Sequence, residues 1–134
     1  MVAFVVVAVV ALVGWSTWRI VRGGVTGRWN RPAWWLLLAF VCLVAGAVVW
    51  SAGAFAGGHD IADTCRRAGQ VYDVAYREEH WQEPRQWFPL HNRCNAAYDA
   101  VPGYVNPSVV ILAVCTVLAL GGAVGSAIIR RKKP

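Results

Sequence analysis

Most of this chain lacks ionisable side chains. Only seven of its 134 residues are acidic, and all seven fall between Asp60 and Asp99. No Asp, Glu, Lys, Arg or His occurs in Met1–Trp18, Ala33–Gly58 or Ala100–Ile129. Transporters and pumps place such groups at mid-membrane depth, so a transport path through this chain alone is not expected. There is no C-x-x-C pair, and Gly23, Gly24 and Gly27 precede no Lys-Ser/Thr, which excludes a paired-thiol motif and a phosphate-cradling loop. The single Asn-x-Ser triplet, at Asn106, is blocked by Pro107, and no internal repeat is present. Lysine is scarce against arginine, in keeping with a high-GC bacterial source.

Apolar residues take the place of charge. The chain is 57% hydrophobic, whereas soluble domains run at about 45–50% on a set that also counts glycine. The three uncharged runs are each long enough to cross a hydrocarbon core of about 30 Å at roughly 1.5 Å per residue. Period-2 alternation is absent, so helices are the spanning structure expected. The predicted fold is an all-α membrane protein with three transmembrane helices and a small, mainly helical, disulfide-closed cap between the second and third. The expected organisation is transmembrane helix 1 over 1–18, a cytoplasmic basic loop over 19–32 and transmembrane helix 2 over 33–57. An extracytoplasmic cap over 58–106, transmembrane helix 3 over 107–129 and a cytoplasmic tail over 130–134 follow.

Orientation follows from where the positive charge sits. Arg19, Arg22, Arg28 and Arg31, with Arg130, Arg131, Lys132 and Lys133, make up eight of the thirteen basic residues. Both clusters abut apolar runs and contain no acid, and positive charge stays on the cytoplasmic side. The amino terminus is therefore expected outside and the carboxyl terminus inside, in an inner membrane. The net charge of +6 is accounted for in this way, with no nucleic-acid partner, and each such charge attracts anionic lipid by about 1 kcal/mol. Nothing positive precedes Phe4, and four arginines follow the first run, so an uncleaved helix is expected in place of a signal peptide. Trp15, Trp18, Trp29, Trp34 and Trp35 flank the basic loop, and Trp50 falls near the opposite interface, as aromatic belts require. Asn106 is suited to cap the third helix, with Pro107 in its first position.

Gly121 and Gly125 form a G-x-x-x-G pair, with Gly122 and Ser126 on the neighbouring stripe and Gly53 and Gly57 in the second run. Such spacing serves either a homo-oligomer face through Gly121 and Gly125 or, more simply, contacts among the chain's own helices. Ser51, Thr116, Ser126, Cys42 and Cys115 are the polar side chains well inside the spans, and the two thiols are expected at different depths, as small apolar residues.

The cap is about the smallest size at which a domain stands alone, and such domains need a staple. Cys65 and Cys94 supply it in a compartment where disulfides persist, worth roughly 3–4 kcal/mol by loop closure. Apolar spacing predicts a helix over Asp60–Glu79, interrupted only by Gly69, and a second short helix over Leu90–Asp99 with His91 and Cys94 on one face. Trp81, Glu83, Arg85, Trp87, Phe88 and His91 form the candidate binding surface, whose rings equally suit a small core or an interfacial belt.

His59, His80 and His91 match no metal-ligand spacing, and no nucleophile accompanies Glu78, Glu79 and Glu83, so neither a metal, a cofactor nor a catalytic residue is assigned. The function expected is a non-enzymatic accessory, assembly or sensing role, with the lipid bilayer and a membrane or envelope protein as partners. The alternatives are a membrane-surface enzyme or metal module using His80, Glu83 and His91, or a phage-type pore-forming or exclusion protein. The orientation is testable with alkaline phosphatase, which is active only outside the cytoplasm. A fusion near Glu83 should be active and one after Lys133 inactive; the reverse pattern would refute the charge argument.

Overall fold

A computed structural model describes residues 2–27 and 31–132. Met1, Arg28, Trp29 and Lys133, to which expectations attach above, lie outside the described residues. The elements in chain order are helix α1 (Val2–Val25), helix α2 (Pro32–Ala54), helix α3 (Ile61–Arg67) and helix α4 (Val74–Glu79). A single 3-10 turn (Glu83–Arg85), strands β1 (Arg93–Asn95) and β2 (Tyr98–Asp99), and helix α5 (Val105–Arg131) complete the chain. Two compact units result: Met1–Ala45 with Leu112–Pro134, and Gly46–Ile111.

Two helices, α2 and α5, are long and apolar enough to cross a membrane, with only 17% and 11% of their most apolar stretches buried. A core helix of a soluble protein would instead be mostly covered. Leu36, Phe40 and Leu43 on α2 and Val117, Leu118 and Val124 on α5 face outward. The first expected span lies within α1, but the helix does not stop at Trp18. It continues through Arg19 and Arg22 to Val25, and Gly27 in the turn that follows has a φ of +70°, a left-handed backbone that glycine tolerates.

In the first unit the helices meet through small side chains. Ser16, Ala39, Ala119, Ala123 and Ser126 are buried. The Trp35 ring lies where a Cβ on Gly122 would sit, while Gly121 and Gly125 have nothing within 4 Å of that position. The stripe used internally is thus Gly122–Ser126, not the G-x-x-x-G pair beside it. Cys42 and Cys115 are free thiols that lie near one another between α2 and α5, which corrects the expectation of different depths. Seven residues forward on α2, from Trp35 to Cys42, match seven residues back on α5, from Gly122 to Cys115, so the helices run antiparallel in register.

Hydroxyls along the helices bond to their own backbone. Thr17 donates to the Val13 carbonyl, Ser51 to Ala47, Thr116 to Leu112 and Ser126 to Ala123, at 2.7–3.0 Å. Each is satisfied within one turn and needs no water or ligand.

The second unit carries the cap. Leu90, Val101 and Val105 form its small core, packed by Val49, Trp50, Ala56 and Val109. Gly53 allows this approach: a Cβ there would lie 2.6 Å from Val105 and 2.9 Å from Leu90. Asn106 does not cap α5, which starts one residue earlier. Its side-chain amide instead donates to the Leu90 carbonyl and accepts from the Leu90 amide, acting as a substitute strand partner. Pro107 falls third in the helix, still within the turn that needs no amide donor.

Two cap expectations require correction. The single helix over Asp60–Glu79 is two helices, broken at Gly69 (φ +70°), each with its own aspartate cap: Asp60 accepts from Ala62 N and Asp73 from Tyr76 N. Leu90–Asp99 is not helical but a two-stranded antiparallel hairpin. Asn95 decides this locally, since its side-chain oxygen accepts from the amides of Ala97 and Tyr98 and so builds the turn that a helix would forbid.

The Cys65–Cys94 disulfide is present, with both residues fully buried, tying α3 to β1. Replacing either cysteine by serine should lower cap stability by about 2–5 kcal/mol and leave the other thiol to form intermolecular dimers. Denaturant titration and non-reducing gels read both effects. Finding both thiols alkylatable in native protein would overturn the staple.

Candidate functional site

The cap's polar groups are spent mainly on its own architecture. Asp99 is the centre: its Oδ1 accepts from the amides of Asn92 and Val101, and its Oδ2 lies 2.7 Å from His91 Nδ1. Arg93 Nε approaches both Asp99 and Glu83 at 3.9 Å, and its guanidinium donates to the Tyr76 hydroxyl at 3.0 Å. Arg77 donates to Asn92 Oδ1 and to the Arg93 carbonyl. On α3, Asp63 pairs with both Arg66 and Arg67. His80 Nδ1 sits 3.0 Å from the Tyr76 carbonyl, with its ring stacked on Tyr76.

These contacts set the charge states. Burial pushes the Asp99 carboxyl upward, but the Asn92 amide, His91 and the Val101 amide outweigh it, and the group lies below the ordinary carboxylate range. Asp63 is also lowered, first by Arg66 and then by Arg67. Arg93 is held more firmly protonated, chiefly by the Tyr76 hydroxyl.

The aromatic side chains do not form one surface. Trp87 stacks on Trp50 of α2 with centroids 5.8 Å apart and planes 19° apart, and Trp50 Nε1 donates to the Trp87 carbonyl at 3.0 Å. Trp81 lies in a separate depression with Tyr72, Arg77 and Glu78, with the Arg85 guanidinium 5.1 Å from its ring. Pro84 and Arg85 form the ridge between the two depressions. Of the six residues proposed from sequence, Glu83 and His91 belong to the Asp99–Arg93 network, Trp81 and Arg85 form one pair, Trp87 stands outward against Trp50, and Phe88 is exposed. Trp50 is the member that sequence reasoning assigned only to an interface belt, because 37 residues separate it from Trp87.

Several large apolar side chains stand exposed on the cap and at the end of α2 beside it, among charged residues such as Arg66, Arg67, Glu78 and Arg85 that are exposed as well. Trp87 is 80% exposed, Phe55 77%, Tyr104 64%, Trp81 54% and Phe88 48%. Among the described residues, no group of three or more His, Cys, Asp or Glu converges as a metal site would. The His91–Asp99 pair orients an imidazole, but no Ser, Thr or Cys nucleophile accompanies it in the contacts above. No family model, curated protein or solved structure matches this chain.

The Asp99 arrangement has a definite pH signature. A carboxyl lowered by folding contributes stability that is fully present above about pH 4, its unfolded value, and is lost as pH falls through the lower folded value. Unfolding of the cap, followed by tryptophan fluorescence, should therefore become easier as pH falls below about 4. Asp99→Ala should cost about 2–3 kcal/mol at neutral pH, since two amides and an imidazole lose their acceptor, and should flatten this acid dependence. An unchanged acid profile in the variant would remove Asp99 from the centre of the cap.

Proposed function

We propose that this chain is a small multi-pass protein of a bacterial inner membrane. In this reading α1, α2 and α5 all span, the amino-terminal end of α1 and the cap lie outside, and Arg19–Arg31 and the tail lie in the cytoplasm. Its role is non-enzymatic: the cap contacts an envelope component or a larger membrane complex in an accessory, assembly or sensing capacity. The observation that carries this reading is the division of the cap's side chains. The acids and arginines are largely engaged in folding it, while Trp81, Trp87 and Phe88 face outward on a framework held by a buried disulfide. Rigid exposed rings suit recognition by contact, because little side-chain entropy is lost on binding. The open Gly121–Gly125 stripe adds a place where a second helix, from another copy or from a partner, can pack closely.

The test is purification of the whole chain in mild detergent with mass-spectrometric identification of what accompanies it. A stoichiometric membrane or envelope protein should be retained. The triple variant Trp81→Ala, Trp87→Ala, Phe88→Ala should weaken that association at least about tenfold, as loss of hot-spot rings does, while the Cys65–Cys94 bond still forms. Retention unaffected by the triple variant would place the contact elsewhere. Turnover of an added substrate by the purified chain would overturn the non-enzymatic reading.

A further inference from the structure

One concavity of the first unit lies between the last turns of α1 and the start of α2. It encloses about 450 Å³ and is lined by Arg19, Arg22 and Arg31 together with Trp15, Trp18 and Trp34. The three arginines are exposed. No Asp or Glu occurs anywhere in residues 1–45 or 112–134, so no acidic side chain of this unit can neutralise them. Three guanidinium groups converging on one cleft without a protein counter-charge repel one another, and an anion there relieves that repulsion.

The cleft is also built. Arg19 lies 5.6 Å from the Trp15 ring and Arg22 lies 4.6 Å from the Trp18 ring, so the indoles orient both side chains. A guanidinium resting on a ring face keeps its N–H edge available for the planar, bidentate contact that phosphate oxygens accept. The opposite wall is fixed by Trp34, whose Nε1 donates to the Ile20 carbonyl at 2.9 Å. Its ring occupies the space left by Gly23, where a Cβ would fall 2.5 Å from Trp34 Cδ1. The same cleft includes apolar surface from the indoles, Ala33 and Leu37.

We propose that this cleft binds the phosphate-ester headgroup of an anionic phospholipid. A soluble phosphate would satisfy the arginines equally well. The indole and leucine surface distinguishes a lipid, which brings glycerol and acyl carbons beside its phosphate, and basic pockets between helices at the cytoplasmic face suit such headgroups. The inference rests on the membrane reading above but not on what the cap binds.

Native mass spectrometry of the full chain, released from mild detergent with phosphatidylglycerol or phosphatidylcholine present, tests the proposal. One phosphatidylglycerol per chain should be retained in preference to phosphatidylcholine. Arg19→Gln, Arg22→Gln and Arg31→Gln together should reduce that retention roughly 100-fold, corresponding to about 1 kcal/mol for each charge. Neutralising Arg130, Arg131 and Lys132 instead should leave it unchanged; equal loss in the two variants would reduce the effect to general surface charge and overturn the site. Inorganic phosphate at millimolar concentration should not displace the lipid, and full displacement would assign the cleft to a soluble phosphate compound.

A photoactivatable phosphatidylglycerol on the unmodified chain provides the check that needs no variant to fold. Labelled peptides should map between Trp15 and Trp34, and labelling confined to other segments would defeat the proposal. Resistance of the chain to alkaline carbonate extraction reads the membrane assignment separately, so failure of that reading and failure of the headgroup site are distinguishable.

Discussion

The buried Cys65–Cys94 bond is the constraint on which the cap depends. The residues available for a conventional core there are few, with Leu90, Val101 and Val105 the ones fully engaged. The disulfide fixes α3 against β1 across a sequence separation of 29, and backbone hydrogen bonds then form beside both sulfurs. Gln70 N donates to the Cys65 carbonyl and Asp73 N to the Cys94 carbonyl, each at 2.9 Å. The second of these sets the start of α4, whose Tyr76 and Arg77 reach back to the hairpin. A covalent link thus converts a short polar segment into a framework on which side-chain hydrogen bonds have fixed partners, and ordering entropy that a small core cannot offset is removed from the unfolded state.

Charge is used in opposite ways at different places in the chain. In the cap, acids and arginines occur together and are matched at short range, as in the Asp63–Arg66 and Asp63–Arg67 pairs. Around the α1–α2 connection there are arginines and no acids, and their neighbours are indoles. Paired charges in water contribute little beyond local order. Unpaired charges set against aromatic surface retain their attraction for an external anion, which is why the cleft, and not the more charged cap, carries the ligand proposal.

The features legible in the sequence were those governed by composition or compartment. Uninterrupted apolar length identified the runs that became α2 and α5, and the placement of two cysteines in the polar segment gave the disulfide. Features set by a single residue's local chemistry were harder to read. Gly69 was recognised as a weakness in a helix, yet Asp73 four residues later supplies a fresh cap, and the two together divide the helix. Leu90–Asp99 has helical spacing at His91 and Cys94, but the side chain of Asn95 folds back on its own turn and wins over that periodicity. The candidate surface was drawn from residues close in sequence, whereas Trp87 takes its partner from α2 and His91 takes its partner from β2. Such pairings depend on the tertiary path and have no sequence spacing of their own.

The absence of ionisable residues from the three apolar runs limits how such a protein can act. A charged side chain at the centre of a spanning helix costs about 2.5–3.5 kcal/mol on insertion scales, and proteins accept that cost where the group moves a proton or an ion. Deep in the runs, Ser51, Thr116 and Ser126 bond to their own helix, and the free thiols Cys42 and Cys115 lie near one another. None offers a charged waypoint, and water would find few unsatisfied partners along these helices. On the membrane reading, recognition by charged groups is then left to the ends of the helices, where the cap and the arginine cleft are found.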